Sequence, residues 1–261
     1  MSATPRAHRV TVVAHRGSAG DAPENTLAAV RLARAHGADV VETDVKRTRD
    51  GVLVVLHDES LARTTDVREH FPDREPWWVR DLTLEEVRRL DAGSWFGPEF
   101  VGEPVPTLEE WAEAVVDTGM LVEAKDPQLH PGIEHDLAAA LRALPGLVEA
   151  LTAGRLVVQS SDRDWLRAFH DLAPEVPLAL VHHGVPDEER VAADSTWLDA
   201  LNPALGNITP ELVSRVHDLG LATNVWTVND PDDVERALGW GVDGVITDHP
   251  RLVRTALAAR G

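Results

Sequence analysis

HGADVVETD, residues 36–44, carries the order helix end, glycine, aspartate, apolar strand, Thr-Asp. The same order returns near the other end of the chain as WGVDGVITD, residues 240–248. Each copy has the form of one helix-to-strand step, and equivalent steps near both ends suit a sheet built from repeated βα modules that closes on itself. The copies differ where Glu42 stands against Ile246, so the early strand has an acid that the late one lacks.

Outward from this stretch, short apolar runs alternate with amphipathic helical segments. Candidate strands are VTVVAH (10–15), DVVETDV (39–45), VLVVLH (52–57), MLVEAK (120–125), RLVVQS (155–160), PLALVH (177–182), DALNP (199–203), LATNVWTV (221–228) and DGVITD (243–248). Several are almost continuously hydrophobic, as strands covered on both faces are. Thr83-Leu-Glu-Glu86 and Thr107-Leu-Glu-Glu110 read as capping boxes, and Thr209-Pro210 and Asp230-Pro231 as helix starts. Gly37, Gly119, Gly220 and Gly241 stand where helices should stop. About eight strand–helix units predict a closed barrel of the α/β class, a TIM (β/α)8 barrel, with 1–261 as one domain. The stretch from about 59 to 106 breaks the alternation. It is rich in Pro, Gly and Trp, and reads as a small packed insertion after the second βα region.

A chain of 261 residues can bury a large core without covalent staples. It has no cysteine, which excludes disulfides and thiolate metal sites and fits a reducing compartment. The start, MSATPRAHRV, lacks the apolar stretch of a signal peptide, and no run reaches the roughly 20 residues of a membrane span. A cytoplasmic protein with no stable membrane anchor is expected. With 25 basic and 44 acidic residues the formal charge is −19, which argues against a nucleic-acid partner. An anionic substrate would need local positive charge. Oligomeric state is not readable.

In a barrel, the C-terminal strand ends line the active site. The polar residues at these strand ends are His15-Arg16, Glu42, Asp44, His57-Asp58, Glu123, Lys125, Gln159-Ser160, His182-His183, Trp226 and Asp248. Residues two apart on a strand share a face, so Glu42 and Asp44 converge, as do Glu123 and Lys125. Three carboxylates around one point suit a hard divalent cation, Mg²⁺ or Ca²⁺, which also relieves their mutual repulsion. His15 and His57 have the chemistry of an acid/base pair. Arg16 and Lys125 supply positive charge for a phosphate. The set describes phosphoryl chemistry better than sugar or acyl chemistry.

At this point the chain resembles the glycerophosphodiester phosphodiesterases of the phosphatidylinositol-phospholipase-C-like TIM-barrel superfamily. The matching words are AHRG (14–17), APENT (22–26), ETDV (42–45), LHD (56–58), LDAGSWF (90–96), VPTLEE (105–110), EAK (123–125), WTVN (226–229) and GVITDHP (244–250). The resemblance implies His15 and His57 as acid/base catalysts, Glu42, Asp44 and Glu123 as metal ligands, and Arg16 and Lys125 on the phosphate. It implies metal-dependent hydrolysis of a small-molecule glycerophosphodiester to glycerol 3-phosphate and an alcohol, through a cyclic phosphate or by direct water attack. Trp226 offers an apolar wall for the glycerol carbons. QSS (159–161) departs from the serine–phenylalanine common in the family.

Neighbouring residues are read structurally. Asn25 is expected to cap the helix that ends before Gly37, Glu24 to order the histidine loop, and Asp248 to cap the helix after Pro250. His36, His135 and His217 are expected on helix surfaces, and His182-His183 outside the mouth. Two other functions fit the same barrel: a lysophospholipase D-like or sphingomyelinase-D-like activity on lipids, using Trp77-Trp78 and Trp95-Phe96 as an apolar rim, and a catalytically inactive phosphodiester-binding barrel.

Overall fold

A computed structural model describes residues 9–260; the leader reading over residues 1–8 lies outside the described residues. Among the described residues there are nine strands: β1 (Thr11–Ala14), β2 (Val40–Arg47), β3 (Leu53–Val55), β4 (Gly119–Ala124), β5 (Leu156–Ser160), β6 (Leu178–His182), β7 (Ala200–Pro203), β8 (Ala222–Val225) and β9 (Gly244–Thr247). Eight of them pair in parallel, in the order β1-β9-β8-β7-β6-β5-β4-β2, and β2 pairs with β1 to close the ring. This is the expected α/β closed barrel surrounded by helices.

The period-two alternation decides which side chains meet the helices and which enter the barrel. Val12, Ala14, Val41, Val45, Val122 and Ala124 join the large apolar layer between strands and helices. Val13, Leu121 and Ile246 form a separate small cluster, with Val40, Val157 and Trp226 against it. The intervening positions on those strands are Glu42, Asp44, Glu123 and, just past β1, His15. Apolar burial of about 1.5–3 kcal/mol per large side chain secures the outer layer.

The two echoed stretches are geometric equivalents, and they flank β1 on either side. Asp39 Oδ2 accepts from Val12 N at 2.9 Å, and Asp243 Oδ2 accepts from Thr223 N at 2.6 Å. In both cases the carboxylate ties the strand's start to the preceding barrel strand. The carbonyls of Asp39 and Asp243 then accept from the following one, from Gly119 N and Thr11 N, each at 2.8 Å. Asp199 repeats the device on Leu178 N at 2.9 Å.

The run 52–57 does not supply a barrel strand. Thr48 N donates to Val52 O at 2.9 Å and Gly51 turns at φ +87°, so the chain reverses at once. A reversal this tight permits only antiparallel pairing, and Val55 sits opposite Val45. The insertion follows, between β3 and the helix Leu108–Ala114, around its own apolar cluster that includes Leu61, Trp77, Val79, Leu82 and Val105. Both capping boxes form, Thr83 with Glu86 and Thr107 with Glu110. Thr209 and Asp230 cap the helices Pro210–Asp218 and Pro231–Gly239. Gly37, Gly220 and Gly241 take positive φ after helices, but Gly119 does not: it begins β4, and Asp117 at φ +64° makes the turn instead. Among the described residues no helix is long and apolar enough to cross a membrane.

Candidate active site

The C-terminal ends of β1, β2, β4, β5 and β6, with the segments after them and after β8, surround one pocket. Its lining includes His15, Arg16, Asp44, His57, Glu123, Lys125, Gln159, His183 and Trp226. His15, Arg16, Asp44, His57, Glu123, Lys125 and Trp226 therefore meet although they come from separate strands, and Glu42 joins them through its cluster with Asp44 and Glu123.

Glu42, Asp44 and Glu123 are 5 % exposed or less, and each offers an oxygen within 4.8 Å of the others. Asp44 and Glu123 are register partners on β2 and β4. Glu42 Oε2 accepts from Arg16 N at 2.7 Å. Burial, then the charges of Asp44 and Glu123, push the Glu42 carboxyl well above the carboxylate range. Burial and Asp44 likewise raise Glu123, against Lys125, whose Nζ donates to Glu123 Oε1 at 2.8 Å. Burial also acts on Asp44, but Arg16, His57 and Lys125 outweigh it and hold that carboxyl low. Three buried carboxylates with two of them pushed upward form an oxygen-donor set short of positive charge, which fits a hard divalent cation.

Each histidine has a carboxylate at Nδ1. His15 Nδ1 lies 2.7 Å from Asp248 Oδ1, and His57 Nδ1 lies 2.6 Å from Asp58 Oδ1. A carboxylate only accepts, so the proton sits on Nδ1 and Nε2 is left as the free nitrogen. Asp248 is thus no helix cap. Its other oxygen accepts from Asn229 Nδ2 at 2.5 Å. Burial raises the Asp248 carboxyl, but the His15 bond and charge prevail and hold it low.

Behind His57 the contacts continue. Arg63, from the insertion, donates through Nε to Asp58 Oδ2 at 2.6 Å and grips both oxygens of Glu24 at 2.7 Å. Glu24 also accepts from Arg16 Nη1 at 2.9 Å, so it orders the histidine loop as expected. Arg16 Nε lies 3.2 Å from Asp44 Oδ2 without hydrogen-bond geometry. The turn after β1 is tight: Arg16 has φ +53° and Gly17 φ +83°.

Asn25 does not cap the helix Leu27–Ala35; Thr26 does, accepting from Ala29 N. Asn25, at φ +58° and buried, donates to Asp44 Oδ2 at 2.9 Å and accepts from Thr43 Oγ1 at 3.0 Å. His183 does reach the mouth, contrary to expectation, with its ring edge-on to Trp226 at 5.0 Å. Trp226 follows β8 and donates through Nε1 to Asn202 O at 2.6 Å. His36 is not a surface residue: its side chain is 7 % exposed and bonded to Ser18 and Arg251. His135 is exposed, and His217 contacts Asp243. Sequence reasoning placed Asp58, Asp248 and Gln159 at strand ends but gave Asp58 and Gln159 no role and Asp248 only that of a helix cap. Only for Asp58, adjacent to His57, did spacing alone carry a signal.

The profile of the Glycerophosphoryl diester phosphodiesterase family matches residues 15–252. A glycerophosphodiester phosphodiesterase of Caldanaerobacter subterraneus subsp. tengcongensis is 39 % identical over 94 % of this chain and 96 % of its own length. A phosphodiesterase of Oleispira antarctica, solved in complex with the product sn-glycerol-3-phosphate, superposes with a TM-score of 0.80 at 31 % identity, over 95 % of this chain and 96 % of that one. A glycerophosphodiester phosphodiesterase of Agrobacterium tumefaciens gives a TM-score of 0.75 at 27 % identity, over 95 % and 100 %.

Proposed function

The chain belongs to the glycerophosphoryl diester phosphodiesterase family, and from that premise we propose how its own residues perform phosphodiester hydrolysis. It is an enzyme of the phosphoric diester hydrolase class. The observation that carries the mechanism is the pair of carboxylate-backed histidines beside three clustered carboxylates and Lys125 in one pocket.

The substrate is a glycerophosphodiester, X–O–PO₂⁻–O–glycerol. Lys125 keeps two N–H donors beyond its bond to Glu123, and with Arg16 it orients the phosphate. Glu42, Asp44 and Glu123 would hold one divalent cation, Mg²⁺ or Ca²⁺, which when bound polarises the phosphate oxygens. One histidine Nε2 takes the proton of the glycerol 2-hydroxyl as that oxygen attacks phosphorus. The other histidine, entering the step as the imidazolium with a second proton on Nε2, gives that proton to the departing oxygen of X, which leaves as X–OH. The resulting cyclic phosphate is opened by water with the two roles reversed, leaving glycerol 3-phosphate. Intramolecular attack of this kind is worth about 7–11 kcal/mol of barrier in favourable cases. Trp226 and His183 form the aromatic side of the pocket against which the glycerol carbons pack.

We read the chain as one barrel domain with an insertion over about 59–106, working in the cytoplasm on small-molecule diesters rather than on nucleic acid. The test is a substrate panel. Release of glycerol 3-phosphate from glycerophosphocholine, with loss of reaction when the glycerol 2-hydroxyl is removed, supports the cyclic route. Rapid cleavage of the deoxy analogue overturns that route, and preference for lysophosphatidylcholine overturns the small-diester reading in favour of a lysophospholipase D. Binding without turnover marks an inactive barrel.

A further inference from the structure

Glu123 is the end of a file of side-chain amides that runs round the inside of the barrel. Gln159 Nε2 donates to Glu123 Oε2 at 3.0 Å, Asn202 Nδ2 to Gln159 Oε1 at 2.8 Å, and Asn224 Nδ2 to Asn202 Oδ1 at 2.9 Å. The four residues stand on β4, β5, β7 and β8. Gln159 is 2 % exposed and Asn202 is fully buried. Barrel interiors are ordinarily filled by branched apolar residues, and buried amides destabilise unless every one is bonded. Here they are bonded in one direction. A carboxylate only accepts, so Gln159 must turn its NH₂ to Glu123, leaving its carbonyl for Asn202 and the Asn202 carbonyl for Asn224. The backbone makes room for the last member: a Cβ on Gly244 would lie 2.3 Å from Asn224 Oδ1.

The consequence falls on the carboxylate. Lys125 holds Glu123 Oε1 and Gln159 holds Oε2, so each oxygen of the group is fixed by its own donor. We propose that Gln159 and Asn202 are positioning residues that fix Glu123 in the orientation in which it binds the divalent cation. The proposal rests on the cation reading given above. Partners of this kind change metal affinity by about 10–100-fold when they are removed.

Calorimetric titration of Mn²⁺ into chelator-treated, intact protein tests it, with wild type, Glu123→Gln, Asn202→Asp and Asn202→Ala compared. An aspartate at position 202 can only accept, so Gln159 would turn its NH₂ away and set its carbonyl against Glu123. The expected result is a Kd raised about tenfold or more for Asn202→Asp and about threefold or more for Asn202→Ala. Glycerophosphocholine turnover lost at limiting cation should return as cation is raised. Should Asn202→Asp fail to fold, Asn202→Ala decides by the same measure. Wild-type Kd in the position-202 variants, with binding lost in Glu123→Gln, overturns the proposal and leaves the cation reading standing. A wild type that binds no cation, or a Glu123→Gln protein that binds it equally well, overturns both.

Discussion

His15 Nδ1 and Asp248 Oδ1 lie 2.7 Å apart although 233 positions separate them in the chain. The contact joins the first barrel strand to the loop after the last, since β1 and β9 are neighbours in the closed ring. His57 obtains the same kind of partner from the next residue, Asp58. Asp248→Asn and Asp58→Asn should each keep the ring in place but remove the preference for the proton on Nδ1. A fall in kcat of about 10²-fold or more is expected, within the range of general acid–base catalysis. Steady-state kinetics with glycerophosphocholine checks this, and near-normal kcat with an unchanged melting temperature would dismiss the orienting role.

His15→Ala and His57→Ala remove the proton carriers themselves. Each should lower kcat by about 10²–10⁴-fold while circular dichroism stays that of the folded barrel. Substantial turnover in either variant would show that the acid/base pair is wrongly assigned.

Chelation should silence the enzyme. Glu42, Asp44 and Glu123 form a buried oxygen cluster, and EDTA treatment followed by gel filtration should leave little activity, restored by Mg²⁺ or Ca²⁺. Full activity after thorough chelation would exclude a metal role.

Arg63 binds both Glu24 and Asp58. The His57 bond, against the opposing effect of burial, and then Arg63 hold the Asp58 carboxyl below its ordinary value. Burial opposes, but Arg63 and Arg16 hold Glu24 low as well. Carboxyls lowered by folding stabilise the protein above their unfolded value of about 4, and that contribution is lost as pH falls through the folded values. Arg63→Ala should therefore cost about 1 kcal/mol at pH 7, a figure kept small by solvent screening, and the gap to wild type should begin to narrow as pH falls below about 4. Urea denaturation across pH 3–7 reads it; a gap of the same size at pH 3 as at pH 7 would show that Arg63 acts by packing instead.

Gly17 turns at φ +83°, and a Cβ there would lie 2.6 Å from Ala29 Cβ and 2.7 Å from the Ala29 carbonyl carbon. Gly17→Ala should cost about 2–4 kcal/mol through left-handed strain and overpacking, and should move the His15-Arg16 turn. Denaturant midpoints and kcat should fall together; a stable variant with normal kcat would contradict the tight turn.

Most of the barrel was readable because its signals are local. Apolar runs, capping boxes and glycine stops depend on neighbours within a few residues, and Thr107 with Glu110 or Thr209 before Pro210 stands in the structure as read. VLVVLH misled because an apolar run carries no information about direction, and the turn at Gly51 sends it back along β2. Asn25 and Asp248 misled for a related reason: both precede helices, where capping is the local expectation, but their side chains are used across the barrel.

Composition and order along the chain thus determined the class of fold and brought forward the three carboxylates, the two histidines, Arg16 and Lys125, because strand parity and strand-end position are one-dimensional properties. Closure of the ring decided the rest. Asp248 beside His15, Arg63 between Glu24 and Asp58, His183 against Trp226, and the amides leading to Glu123 are all contacts between segments far apart in the chain. Such pairings depend on which strands become neighbours and in what register, and that is settled by packing of the whole barrel.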